Sequence, residues 1–190
     1  VKEEMLQKFR RLQTITSVVL FFIVFTFFYL TTNFNLTEIQ LSNWGVIKGS
    51  GWVFNLMLMF FSITIFLNPF LFIKKHFRIK YKNLFYFLFG FVALNLFFIG
   101  VFNLNFELLH KILAFNYFLI YPLVIFIFSH LNRNKILYRE WITHLTFSIL
   151  MSLIPLAIGF LFKGMAISEM VHTMFVIGWN LYILKKSSIY

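Results

Sequence analysis

Crossing the hydrocarbon core of a bilayer as a helix takes about 20 mostly apolar residues, and this chain holds five runs of that kind without Lys, Arg, Asp or Glu. They cover residues 14–31, 53–73, 83–106, 112–132 and 141–162. A soluble fold has no place for so many. The chain is 61% apolar and 12% charged, where soluble domains carry roughly 25% charged residues, so the surplus apolar surface has to face lipid. A sixth run is shorter. Residues 170–184 reach spanning length only if the helix starts near Ala166, which puts Glu169 and His172 at the membrane boundary.

The reading is therefore an all-α integral membrane protein, a single domain over residues 1–190 with six transmembrane helices in a compact bundle. The helices are expected over about 13–31, 53–73, 83–104, 110–131, 141–162 and 167–184. Residues 1–11 are basic and precede an apolar run, as in a secretory leader. That run is longer than a leader's apolar core and has no small-residue cleavage site, so it reads as a retained first helix. Residues 32–52 form the longest loop, too apolar to hang free, and are expected to lie along the membrane interface.

Charge sets the orientation. Lys and Arg gather on the cytoplasmic side of membrane helices. Fourteen of the 17 sit at the N-terminus, between helices two and three, between helices four and five, or in the tail; only Lys48, Lys111 and Lys163 fall on the other face. Both termini are expected in the cytoplasm of a multi-pass protein of the cell membrane, the inner membrane of a bacterium. The net charge of +11 is thereby topological, and it implies no nucleic-acid partner. Lys74, Lys75, Arg78, Lys80 and Lys82 alternate with aromatic residues in the second-to-third loop. They are placed to meet anionic lipid headgroups, each base being worth about 1 kcal/mol near a charged surface.

The chain has no Cys, which excludes disulfides, thiolate ligands and cysteine nucleophiles. It has no Asp either, and its six acids are all Glu. The most suggestive pattern is a Glu-x-x-His that occurs twice, as Glu107/His110 and Glu169/His172, each at the non-cytoplasmic start of a helix. Positions three apart share a helix face, and paired Glu-x-x-His motifs build dinuclear metal sites in four-helix bundles. A metal ion held by Glu107, His110, Glu169 and His172, with Glu38 nearby, is chemically possible. The plainer reading is that each Glu stabilises a helix N-terminus, with Asn105 and Ser168 as caps. Asn55 and Asn116 would join these residues in a polar cluster able to take a ligand's head. The remaining intramembrane polar residues, Asn68, Asn95, Ser148, Ser152 and Asn180, are expected to hydrogen-bond between helices. No charge is expected at mid-membrane, which argues against an ion-coupled transporter.

Three stretches resemble a known family. Residues 41–55 (LSNWGVIKGSGWVFN), 99–115 (IGVFNLNFELLHKILAF) and 164–184 (GMAISEMVHTMFVIGWNLYIL) are similar to a bacterial six-helix membrane family of unknown function, related to the DRAM-like and FGF-receptor-activating-protein-like group. Gly51, Phe54, Asn55, Gly100, His110, Gly164 and Glu169 are the family-like positions. The resemblance implies the six-helix fold and brings no reaction with it.

Three functions remain in view. The first is a non-enzymatic membrane protein that binds lipid or another hydrophobic ligand, or serves as an accessory subunit beside other membrane subunits or further copies of itself. It needs no cofactor. The second is a metal-dependent enzyme acting on lipid through the Glu/His cluster, and the third is a small-molecule permease. Because the chain lacks Cys, introduced thiols report topology without background. Lys48→Cys should react with an impermeant maleimide on intact cells and Lys135→Cys only after lysis; the opposite pattern would invert the orientation.

Overall fold

Backbone N–H and C=O groups in hydrocarbon find no water and must pair within their own segment, so apolar runs of this length become helices. The computed structural model describes residues 2–75 and 79–189, and Arg78 lies outside them. It is 85% helical and a compact bundle. The helices are α1 (Lys2–Thr31), α2 (Gly51–Lys75), α3 (Lys82–Val101), α4 (Glu107–Asn132), α5 (Tyr138–Leu161) and α6 (Ala166–Ile189). Short 3-10 turns cover Leu41–Val46 and Leu104–Phe106. Each of the six helices is long and apolar enough to cross a membrane. Large apolar side chains stand on the outside of the bundle, Phe160 at 84% exposure among them, as expected of a multi-pass membrane protein whose outer surface meets lipid.

Successive helices pack side by side, and α6 closes the bundle against α2 and α1. Both chain ends lie on one face of the bundle, the terminal face; the opposite one is the distal face. The 3-10 turn Leu41–Val46 lies over the distal end of α2 and α6. Trp44, 1% exposed, stacks on Phe28 at 5.4 Å and meets Phe54 edge-on at 5.9 Å.

The first helix starts earlier than its apolar pattern. At 30 residues it is about 45 Å long at 1.5 Å per residue, against a hydrocarbon core of roughly 30 Å. Its polar first turns continue past the apolar run and dock on the rest of the bundle. Arg10 is 2% exposed, and its Nη2 donates to the carbonyl of Leu184 in α6 at 3.3 Å. On the same face Glu140, also buried, is paired with Lys186 at 3.1 Å. Hydropathy counted Arg10 as a topological charge; its packing against α6 is a tertiary fact that one-dimensional counting does not contain.

A chain of polar side chains crosses the interior. Thr14 and Asn68 bond each other, Asn68 Nδ2 donates to Asn180 Oδ1 at 3.3 Å, and Asn180 Nδ2 donates to Tyr121 Oη at 2.9 Å. Ser17 and Thr64 sit 2.7 Å apart beside it. Helices α1, α2, α6 and α4 are thus joined through one set of hydrogen bonds. Asn95 takes no part, since its Nδ2 donates to Phe91 O on its own helix. Replacing Asn180 by Leu leaves groups on Asn68 and Tyr121 without their partner, at a cost of about 1–2 kcal/mol. Asn95→Leu should cost less. Unfolding midpoints of the two variants in a detergent titration check the order.

Candidate functional site

The distal face is built around a cap, residues 35–46, held down at several points. Gly164 N–H donates to Thr37 O at 2.8 Å and Ala166 N–H to Ile39 O at 2.9 Å. Glu169 reaches across from α6, its Oε2 accepting the Leu41 N–H at 2.7 Å. Asn55 Nδ2 donates to Gly45 O at 2.9 Å. Close backbone approach makes glycine necessary here: a Cβ on Gly164 would collide with the Ile39 backbone, one on Gly51 would lie 2.6 Å from Gly45 O, and one on Gly100 would lie 2.6 Å from Asn55 O. Gly51, Asn55, Gly164 and Glu169, which read in the sequence as family-like positions, therefore have a local task, the seating of the cap, and Gly100 lets α3 approach α2.

Beside the cap, α4, α5 and α6 diverge to leave a crevice of about 400 Å³, within the roughly 300–1,000 Å³ of pockets that take small ligands. It runs along α4 from His110 to Pro122, about 18 Å of helix at 1.5 Å per residue. Polar groups gather at its distal end: Gln40 from the cap, Lys111, Ser168 and Glu169. Leu119, Pro122 and Met151 line the deeper part. Phe115 and Leu156, at 67% and 59% exposure, flank the opening toward the outside of the bundle. A second, smaller cavity of about 60 Å³ lies further inside, between Phe21, Phe54, Phe61 and Leu96. Four residues border both spaces: His110, Ala114, Phe118 and Glu169.

Prolines shape the polar wall. Pro155 has no N–H, so the carbonyl four residues earlier, on Met151, loses its helical donor. His172 replaces it, with Nδ1 at 3.1 Å from Met151 O. Ser168 Oγ donates to Pro155 O at 2.6 Å, and Ser148 Oγ donates to Pro122 O at 2.7 Å. His110 Nδ1 faces Phe102 O at 2.8 Å. Ser168 is therefore an interhelical donor and not the cap expected of it. Asn103 accepts from the Asn105 N–H and caps the 3-10 turn Leu104–Phe106, while α4 itself, with Phe106 at its N-cap position, has no side-chain cap, so Asn105 is not the cap expected of it.

The expected Glu/His cluster does not assemble as a unit. His110, Glu169 and His172 line the crevice. Glu107 is exposed and ion-paired with Lys111 on its own helix, a kind of pair that adds little stability in water. Glu38 is exposed in the cap. Asn55 is committed to Gly45, and Asn116 is half-buried away from both cavities. The four-residue metal site drawn from Glu107, His110, Glu169 and His172 is corrected on the same ground: among the described residues no three His or Glu side chains gather closely enough to hold an ion. His110, Glu169 and His172 each have instead a bond that serves the fold. On the terminal face Lys74 and Lys80 are exposed, and Lys75 and Lys82 are half-buried.

Toward the terminal face the bundle fills. Tyr121, Phe89, Phe128 and Trp179 pack ring against ring, all at 2% exposure or less. None of the four lines either cavity, so the crevice ends partway across.

Sequence reasoning missed the crevice because three prolines in three helices do not say which one opens a space. Its usable signal was Pro155 followed by a His on the next helix. Gly164→Ala and Glu169→Ala should both loosen the cap, raising amide exchange at Leu41 by about tenfold or more for the loss of a charge-assisted bond. Glu107→Gln should leave that exchange unchanged. No family model, curated protein or solved structure matches the chain.

Proposed function

We propose that this chain is a non-enzymatic membrane protein of the bacterial inner membrane, with the distal face outside, that binds a lipid or similar hydrophobic ligand in the crevice between α4, α5 and α6. One observation carries the reading. The crevice is polar at the distal end, apolar below it, and open sideways between Phe115 and Leu156. A lipid standing in the adjacent leaflet has the same order of polarity from head to chain, so it can enter laterally without turning over. Kinship with the DRAM-like six-helix group belongs to the same proposal, supported by the use of Gly51, Asn55, Gly164 and Glu169 in seating the cap. On the terminal face, Lys74, Lys75, Lys80 and Lys82 would meet anionic headgroups of the cytoplasmic leaflet.

A permease reading needs a continuous polar path, and the aromatic layer around Tyr121 and Trp179 interrupts it. A lipid-modifying metalloenzyme lacks its gathered ligands among the described residues.

The test uses full-length protein in nanodiscs with a lipid carrying a diazirine in its acyl chain. Labelled peptides should come chiefly from the crevice walls on α4 and α5. Ser152→Trp, a substitution at an exposed position lining the crevice, should remove most of that label. Leu56→Trp, in the apolar groove along α2 on the other side of the bundle, should not. Label spread evenly over all six helices and indifferent to Ser152→Trp would overturn the proposal.

A further inference from the structure

The hydrogen-bonding inventory of the α5 and α6 walls of the crevice is lopsided. Every hydroxyl hydrogen on its α5 and α6 walls is committed to a backbone carbonyl: Ser152 to Ser148 O at 3.0 Å, Ser168 to Pro155 O at 2.6 Å, and Thr173, just behind, to Glu169 O at 2.8 Å. Glu169 Oε2 is occupied by the Leu41 N–H, which leaves its other oxygen to the crevice. His172 is held by Met151 O. A carbonyl only accepts, so Nδ1 carries the hydrogen, and in the neutral ring Nε2 is left as an acceptor. That Nε2 is buried without a hydrogen-bond partner, in a residue 1% exposed. A buried polar atom left unpaired is a standing cost to the fold. The fold does not need this acceptor, since the bond that serves the fold is made by the other ring nitrogen.

Phe118 screens it. Its ring meets the His172 imidazole edge-on at 4.6 Å, and it borders both the crevice and the inner cavity. Tyr117 meets the same imidazole at 5.6 Å from the inner-cavity side.

We infer that the crevice selects lipids whose heads donate hydrogen bonds, through hydroxyl or primary ammonium groups, with the head set between the free Glu169 oxygen and His172 Nε2 and Phe118 displaced to admit it. This rests on the crevice being a lipid site, as proposed above. Gln40 and Lys111 bring donors to the rim, so the preference rests on the buried acceptor His172 Nε2. Lys111, the cation at the rim, is engaged by Glu107. A head with its hydrogens replaced by methyl groups leaves Nε2 as it was.

Full-length protein in nanodiscs, loaded with a fluorescent acyl-chain probe, tests this with two matched pairs. Lysophosphatidylethanolamine is set against lysophosphatidylcholine, which differs only in methylation of the ammonium. A monoacylglycerol is set against its dimethyl ether. In at least one pair the donor head should displace the probe at about tenfold lower concentration, the worth of one well-made hydrogen bond, and which pair responds identifies the head as ammonium or hydroxyl. In His172→Asn the amide still donates to Met151 O but no Nε2 remains, and the preference should collapse toward equality with displacement itself retained. Glu169→Gln, which keeps an acceptor for Leu41, gives a second reading should the Asn variant fold poorly. Equal displacement within both pairs, or a preference that survives both variants, would overturn the inference and leave the lipid site standing. No displacement by any of the four lipids would overturn the lipid site as well.

Discussion

Helices already in lipid gain nothing from burying apolar surface against one another, because the tails they leave are as apolar as the partner they meet. What holds such a bundle in one arrangement is close packing and a few internal hydrogen bonds whose alternatives are worse. Asn180 is the central case. It touches α2 through Asn68 and α4 through Tyr121, and through Asn68 it is tied to Thr14 in α1. Around it lie Trp179, Tyr121 and Phe89, ring against ring. The polar thread fixes which helices are neighbours, and the aromatic layer fixes how closely they come. The distal crevice exists on one side of this layer because the layer below it does not yield.

The prolines act as local releases within that frame. Each removes a backbone donor, and at Pro155 the carbonyl it frees is taken by a neighbouring helix. Met151 O, freed by Pro155, is taken by His172. A substitution made to mend one helix thus defines the tautomer of a ring on another, and with it the chemistry that the ring's second nitrogen presents. Local backbone repair and ligand preference are coupled at this one residue.

Much of the architecture was legible in the sequence. The apolar runs gave six spans, and α2, α3, α4 and α5 begin and end within three residues of expectation. The start of α1 was not legible, because its first turns are polar and gain their place from Arg10 meeting α6. Of the seven residues expected at the site, Glu169, His110 and His172 line the crevice. Glu107 fails for a reason spacing could have suggested: Lys111 lies four residues on, at the distance where helical charges pair. Motif symmetry made the two Glu-x-x-His copies look equivalent. Packing makes them different, since one Glu faces outward and the other is drawn over by the backbone of a loop far away in sequence. Glycines read as family marks proved to be contact points, visible only once their neighbours are known.

The bond from Glu169 to Leu41 spans 128 residues, and the backbone pairing of residues 37 and 39 with 164 and 166 spans nearly as many. Every other part of the distal cap is made by the time α4 is in place. These last links have to wait for the final helix to emerge, so the first loop spends most of biosynthesis without the partners that seat it. A chain stopped before α6 would carry an open cap and a crevice without its polar wall. In this protein the order of synthesis and the completeness of the site are the same fact, because the first loop and the last helix are the two ends of one latch.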